Sequence, residues 1–321
     1  MNPSPINADA LVDAAFQALS QGDLSNAQAP IAQGLASHPT DSRLHLLAGV
    51  MANAQALPAS AMAHFWSGLA ADPQSALIRQ EIRHLVVQEL AQADGAEKDF
   101  SLQSGERQTA DQIPLIRADH RARYAFAAQW VRRFLAPSHT LTGLDVFCGN
   151  GYGSRMVANM AGARMVGLDG SGEAVELAEC AYGTHRVVFG HAVFPFTLQA
   201  RMFDFAISFE SIEHVDDPEG LLAQMARATD GPLLISVPHE GGLPFARFGH
   251  RFEHHVRHFT LDETVAMLAR VGRTRIRSLH GQQVYRTENG EITGLLPAHQ
   301  MGLGALRTDS QFCVLVAETP G

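Results

Sequence analysis

Residues 141–154 read LTGLDVFCGNGYGS. The run from Leu141 to Phe147 is a short apolar strand, and it enters Cys148-Gly149-Asn150-Gly151-Tyr152-Gly153-Ser154 just before a helical pattern begins. The glycines therefore stand at a strand-to-helix turn, where the lack of side chains lets a ligand approach the backbone. About 20 residues after Gly149 the next strand, ARMVGLDG, ends at Asp169. A carboxylate at that position can accept hydrogen bonds from both hydroxyls of a ribose. A glycine pair alone says little. Between a strand and a helix, with an acid at the end of the following strand, it points to a nucleoside cofactor.

Outward from this turn, the apolar runs LTGLDVF, ARMVGLDG, RVVFG, FDFAISF and PLLISV alternate with helical stretches centred on residues 152–160, 172–181 and 218–228. Such alternation predicts βαβ units, here a Rossmann-like α/β fold with a seven-stranded mixed sheet and helices on both faces. Before it, HRARYAFAAQWVRRFL reads as an amphipathic helix whose apolar side is Tyr124, Phe126, Trp130, Val131, Phe134 and Leu135. The last run, DSQFCVLVAE, is expected to be antiparallel at or near the sheet edge. Tyr285, Arg286 and Glu288 are expected in a loop before it. Residues 8–90 are rich in Ala and Leu with helical periodicity, and a shift of 34 positions lays Pro39 on Pro73, Leu35 on Leu69 and Ala27 on Ala61. Residues 91–117 are mostly polar and read as a linker. The expected organisation is an all-α repeat domain over 1–90, the linker, and the α/β domain over 118–321.

Composition narrows the setting. The formal charge of −9 disfavours nucleic acid as a partner. No apolar run approaches the roughly 18 to 20 residues of a membrane span, and the N-terminus lacks the pattern of an export signal. The three cysteines are dispersed without a CxxC pair, which suggests neither a disulfide framework nor a cysteine zinc site and leads us to expect a cytoplasmic protein.

The glycine spacing is GxGxG rather than the GxGxxG of dinucleotide enzymes, and it is opened by Asp145 within the strand. This resembles motif I of class I S-adenosylmethionine-dependent methyltransferases. Four further stretches resemble the same family in the right order: HRARYAFAAQWV, FDFAISFESIEHVDDPEGLL, LLISVPHE and HHVRHFTLDETVAMLARVG. Together they cover nearly all of 118–280 and favour a subfamily rich in glycan and small-molecule methyltransferases. The resemblance implies that Gly149, Asn150, Gly151 and Gly153 lie along the methionine and ribose parts of S-adenosylmethionine. Asp145 would order the loop or hold the amino group, and Asp169 with Gly170 would bind the ribose. Where the family commonly has an adenine-binding Asp, this chain has His191-Ala192, so adenine recognition would rest on backbone groups and on Phe194 or Phe196. At the N-terminus, QGDLSNAQAPIAQGLASHPTD resembles the turn, second helix and closing proline of a tetratricopeptide repeat.

Methyl transfer is an in-line displacement, and a hydroxyl acceptor must also lose its proton. Glu210, Glu213 and His214 follow the fourth strand, on the side where such sheets do their chemistry. His214 is the first candidate for general base, because an imidazole titrates near neutrality. In the competing account Glu210 touches the cofactor amino group while Glu213 and His214 cap the loop. A second cluster, His239, Glu240, His250, Glu253, His254, His255, Arg257 and His258, follows the fifth strand. His255 is a second catalytic candidate; His239, Glu213, Arg257 and Tyr285 are candidates for binding substrate. No metal site is expected, because adjacent His254 and His255 chelate poorly together and no cysteine pair accompanies them. The expected activity is methyl transfer to oxygen or nitrogen of a sugar, glycolipid precursor or other small polar metabolite. The rivals are a protein acceptor recruited by the repeats and a non-catalytic nucleoside-binding scaffold.

Overall fold

The computed structural model describes residues 7–90, 108–135 and 138–320. Most of the expected linker, 91–107, lies outside them. The chain divides into two compact units, Met1–Val86 with Thr184–Val188, and Val87–Gly183 with Phe189–Gly321.

The first unit contains α1 (Ala8–Ser20), α2 (Leu24–Ser37), α3 (Ser42–Ala54), α4 (Pro58–Ala71) and α5 (Ala76–Val86). Each start and stop of α3 and α4 falls 34 residues after that of α1 and α2, and α5 begins 34 residues after α3. The caps repeat too. Asn7 accepts from the Asp9 N–H and Asp41 from those of Arg43 and Leu44, which satisfies donors that the first helical turn leaves open. His38-Pro39 and Asp72-Pro73 end α2 and α4, since proline has no N–H to extend the ladder. Small residues let the helices approach closely: a Cβ on Gly34 would lie 2.7 Å from a methyl of Leu44.

The second unit is built on a sheet of eight strands among the described residues. In chain order they are β2 (Thr142–Val146), β3 (Arg164–Asp169), β4 (Val187–His191), β6 (Phe205–Phe209), β7 (Leu233–Pro238), β8 (Arg275–Gln282), β11 (Leu303–Gly304) and β12 (Phe312–Glu318). Their spatial order is β11-β8-β12-β7-β6-β2-β3-β4. The difference from seven is β11, a two-residue strand too short to leave a periodic signal. Strands β3, β2, β6 and β7 are parallel and the run is apolar on both faces, as a sheet covered by helices requires. Its helices are α6 (Ala118–Phe134), α7 (Tyr152–Ala161), α8 (Gly172–Tyr182), α9 (Pro218–Ala228), the short α10 (Phe245–Phe248) and α11 (Leu261–Arg270). Two antiparallel pairs stand apart: β1 (Val87–Leu90) with β5 (Phe196–Leu198), and β9 (Tyr285–Glu288) with β10 (Glu291–Leu295).

Strand β12 is antiparallel and near the sheet edge, as expected, and it inserts between β7 and β8 and bonds to both, which accounts for its near-continuous burial. Two expectations need correction. Tyr285, Arg286 and Glu288 form β9 of a hairpin, with Arg286 and Glu288 exposed. In α6, Phe134 is exposed, whereas Asp119 and Arg123 are buried with Tyr124, Trp130 and Val131.

Candidate active site

The strand order reverses between β2 and β6, and the carboxyl ends of β2, β3, β6 and β7 meet at that switch point, where sheets of this kind place a ligand crevice. The glycine loop fills one side. Its three glycines do different work. A Cβ on Gly153 would collide with the Tyr124 ring, and one on Gly151 with the Phe189 ring, so both permit close packing. Gly149, at φ +57°, would project a Cβ into open space. It is the glycine that leaves room for a ligand. The Gly149 N–H donates to one Asp169 oxygen at 2.8 Å, and the Ser171 N–H to the other at 2.9 Å. Asp169 is thus locked between the loop and the start of α8. The donor set and the open space fit a nucleoside.

Asp145 is fully buried. Ser154 Oγ donates to it at 2.6 Å and Tyr124 Oη at 3.2 Å, so its role is to tie α7 and α6 to β2 rather than to reach an amino group. Burial pushes its carboxyl up to about 7. The Asn150 amide donates to the Ala110 carbonyl at 2.9 Å. His191 Nε2 donates to the Gly170 carbonyl at 2.9 Å, and the Ala192 N–H to that of Asp169 at 2.9 Å, which closes the end of β4 onto the end of β3. Phe196 is buried in β5 and has no free face for an adenine, whereas Phe194 is half-buried and packs edge-on against it.

Across the crevice, Glu210 has φ +53°, a left-handed conformation strained for a side chain with a Cβ. Ser236 Oγ donates to its carboxylate at 2.8 Å and Arg123 Nη1 lies 3.7 Å away. Burial raises its carboxyl, and the Arg123 charge opposes that. Arg123 in turn donates through Nε to Gln282 at 2.7 Å, pairs with Asp119 at 3.4 Å, and sits 4.6 Å above the Phe312 ring. Arg117 Nε closes the cluster with a 2.6 Å bond to Asp119. None of Arg117, Asp119, Arg123 and Gln282 was a candidate from sequence. The available signal was the i,i+4 spacing of Asp119 and Arg123 in a helix otherwise read for its apolar face.

The 3-10 turn Ile212–His214 continues from Glu210. The Val256 N–H donates to the Glu213 carbonyl at 2.8 Å, joining this turn to the loop after β7. His214 and His255 meet edge to face at 4.7 Å. The other candidates of that loop lie elsewhere. His239 Nδ1 donates to the Ser310 carbonyl at 3.0 Å, which anchors the loop. Glu240 accepts from the Phe245 N–H at 2.9 Å. Arg257 stands half-exposed, 3.2 Å from Glu263 and stacked on Phe259, so it steadies the start of α11 rather than reaching into the crevice. Tyr285 packs on Phe252 and Phe312 at the margin of the Arg117 cluster.

A mixed α/β sheet with a glycine turn and a ribose-type aspartate at its switch point defines a nucleoside-binding domain. Residues 118–276 match the family described as "Methyltransferase domain". That match, over just under half of the chain, is to a methyltransferase domain, and S-adenosylmethionine is the cofactor such a domain takes. No curated protein matches the chain. Among solved structures it is similar to an S-adenosylmethionine-dependent methyltransferase of Thermotoga maritima, at 21% identity and TM-score 0.42 over 63% of this chain and 91% of that one. It is similar to the magnesium protoporphyrin IX methyltransferase of Synechocystis PCC 6803, at 18% and 0.46 over 63% and 84%. A Mesorhizobium loti S-adenosylmethionine-dependent methyltransferase gives 19% and 0.45 over 60% and 99%.

Proposed function

We propose that the domain over 118–321 transfers the methyl group of S-adenosylmethionine to a small polar acceptor, a sugar, glycolipid precursor or related metabolite. When bound, the cofactor supplies an electrophilic methyl on a sulfonium. Gly149 leaves space beside the loop, Asp169 holds the ribose hydroxyls, and Gly170, His191 and Ala192 form the floor towards the base. Glu210, strained and held by Ser236 and Arg123, faces the amino-acid end. The acceptor then lies at the corner of Glu213, His214 and His255, with Tyr285 at its margin. There His214, whose Nδ1 donates to the His254 carbonyl at 3.1 Å, is the candidate general base. The observation that carries the reading is the grouping of an open glycine turn with an imidazole-carboxylate corner at the ends of neighbouring parallel strands.

The 34-residue recurrence of helix boundaries and caps favours a second role, in which the 1–90 segment is a tetratricopeptide-type array that holds a protein partner. Among the described residues no helix is long and apolar enough to cross a membrane. Among the described residues Cys148, Cys180 and Cys313 form no disulfide, and a cytoplasmic setting suits this reading.

The test is calorimetric titration with S-adenosylmethionine, S-adenosylhomocysteine and NAD in parallel, followed by transfer of labelled methyl to a panel of polar metabolites. Micromolar binding of the two sulfur nucleosides and label in one acceptor class are expected. Binding of NAD alone overturns the proposal.

A further inference from the structure

Glu213 is fully buried, and among the described residues its carboxylate has no hydrogen-bond partner in good geometry, facing only the backbone N–H groups of its own turn at Ser211 and Glu213. A buried carboxylate without a donor is costly unless a positive charge shares its space. Neighbouring Glu210 adds a charge of the same sign, which Arg123 offsets in part. Two imidazoles arrive at the same point. One carboxylate oxygen of Glu213 and one ring nitrogen each of His214 and His255 lie within 4.8 Å of one another. Three donors around one ion at the usual ligand distance of about 2.0–2.2 Å lie roughly 3.3–3.8 Å apart, so the side chains close on it by about an ångström.

The second ring nitrogens are oriented as metal-binding histidines require. His214 Nδ1 donates to the His254 carbonyl, which places its lone pair on Nε2. The Leu243 carbonyl accepts from His258 Nδ1 at 2.6 Å, so His258 Nε2 must accept. It does so from His255 Nδ1 at 2.9 Å, and the lone pair of His255 therefore falls on Nε2. Phe252 stacks on the His255 ring at 4.7 Å and 18°, fixing its plane. A backbone carbonyl thus sets the tautomer of each ligand, directly for His214 and through His258 for His255.

We propose that Glu213, His214 and His255 form a two-histidine, one-carboxylate site for a first-row divalent cation, zinc being the best match, with its remaining positions open to an acceptor oxygen. The absence of a metal site expected from sequence reflected attention to His254 and His255 as neighbours. The structure instead takes only His255 from that pair and joins it to a turn some 40 residues earlier. The chemical role rests on the acceptor lying at this corner, and it replaces direct proton removal by His214. Coordination acidifies the acceptor hydroxyl, whose proton leaves to water. The oxygen lone pair forms the O–CH3 bond, and the pair of the broken S–CH3 bond returns to sulfur, giving S-adenosylhomocysteine. The site thereby selects oxygen over amine acceptors.

The test uses the full chain, stripped with a chelator and titrated with Zn2+ alone against a chromophoric competitor, then with Co2+ while visible absorption is recorded. One equivalent per chain is expected, with ligand-field bands for Co2+ in the wild type. Glu213→Gln and His255→Asn should each weaken binding at least a hundredfold, and His258→Ala, which keeps all three ligands but removes the orienting bond together with packing on Phe245 and Phe252, by about 10- to 100-fold. Stoichiometric uptake absent from the wild type, or one tight equivalent kept by a folded Glu213→Gln chain, would overturn the site. S-adenosylhomocysteine affinity measured on the same stripped chain separates the two readings. Zinc uptake without nucleoside binding removes the methyltransferase proposal and leaves the site, and the converse removes the site alone.

Discussion

Gly149→Ala and Gly153→Ala are equal changes in composition with opposite expected consequences. At Gly153 the new methyl enters space held by the Tyr124 ring, and that ring is 4% exposed and tied by its hydroxyl to Asp145. Overpacking of this kind costs about 1–3 kcal/mol. For a domain of this size that is a fall in Tm of roughly 2 to 12 °C. At Gly149 nothing lies within 4 Å of the added atom, and the cost to the free protein is confined to a left-handed conformation, about 1–2 kcal/mol. The methyl does, however, project into the space assigned to the cofactor, and loss of at least about tenfold in affinity, ~1.4 kcal/mol, is expected there. The assay is a thermal melt of each variant with and without S-adenosylhomocysteine, together with calorimetric titration at a temperature where both are folded. Gly153→Ala should melt early yet bind, and Gly149→Ala should bind weakly. If Gly149→Ala keeps wild-type affinity, or Gly153→Ala keeps the wild-type Tm, the division of labour among these glycines is refuted.

Other perturbations test the surroundings of the site. Asp169→Ala removes a carboxylate that holds two backbone N–H groups and, in the proposed site, a ribose, and one charge-assisted bond of about 1.5–3 kcal/mol makes a loss of at least roughly 10- to 150-fold in S-adenosylhomocysteine affinity the expected result by calorimetry. Arg123→Met leaves Glu210 and Asp119 buried without their shared cation and should cost about 3–5 kcal/mol in urea unfolding. Asp145 has its folded value raised to about 7 from 3.8, so its stabilising share is present below pH 3.8 and lost as pH rises to about 7; Asp145→Asn should gain on the wild type across that window in urea midpoints. His120, pushed by burial to about 3 from 6.5, has the opposite sign. Its contribution is present above pH 6.5 and lost as pH falls towards 3, and His120→Gln should flatten that loss.

The parts of the fold legible in sequence are those set by local chemistry. The β2 strand, the glycine turn, Asp169 at the end of β3 and the helices at 152–161, 172–182 and 218–228 each carry their own signal within a few residues. The 34-residue recurrence was legible because small residues and prolines recur wherever helices must meet or stop. What escaped depends on residues distant in the chain. Arg123 bonds Gln282, and His255 meets His214, through loops whose course no local pattern fixes. The neighbours of β12 escaped for the same reason: an apolar run shows that a strand is buried, and its partners are decided elsewhere.

The insertion of β12 between β7 and β8 bears on how the domain is completed. Residues 275–282 are synthesised before 312–318, yet β8 has no partner in the main sheet except β12 and the two-residue β11. Until the last strand arrives, β7 presents an open edge of unpaired backbone groups and β8 cannot dock. The corner that holds His239, anchored to Ser310 and Gln311 just before β12, is assembled at the same late moment. The loop that carries His255 is therefore set in place by the final closing of the sheet, and acquisition of the acceptor corner should coincide with the slowest, longest-range step of folding.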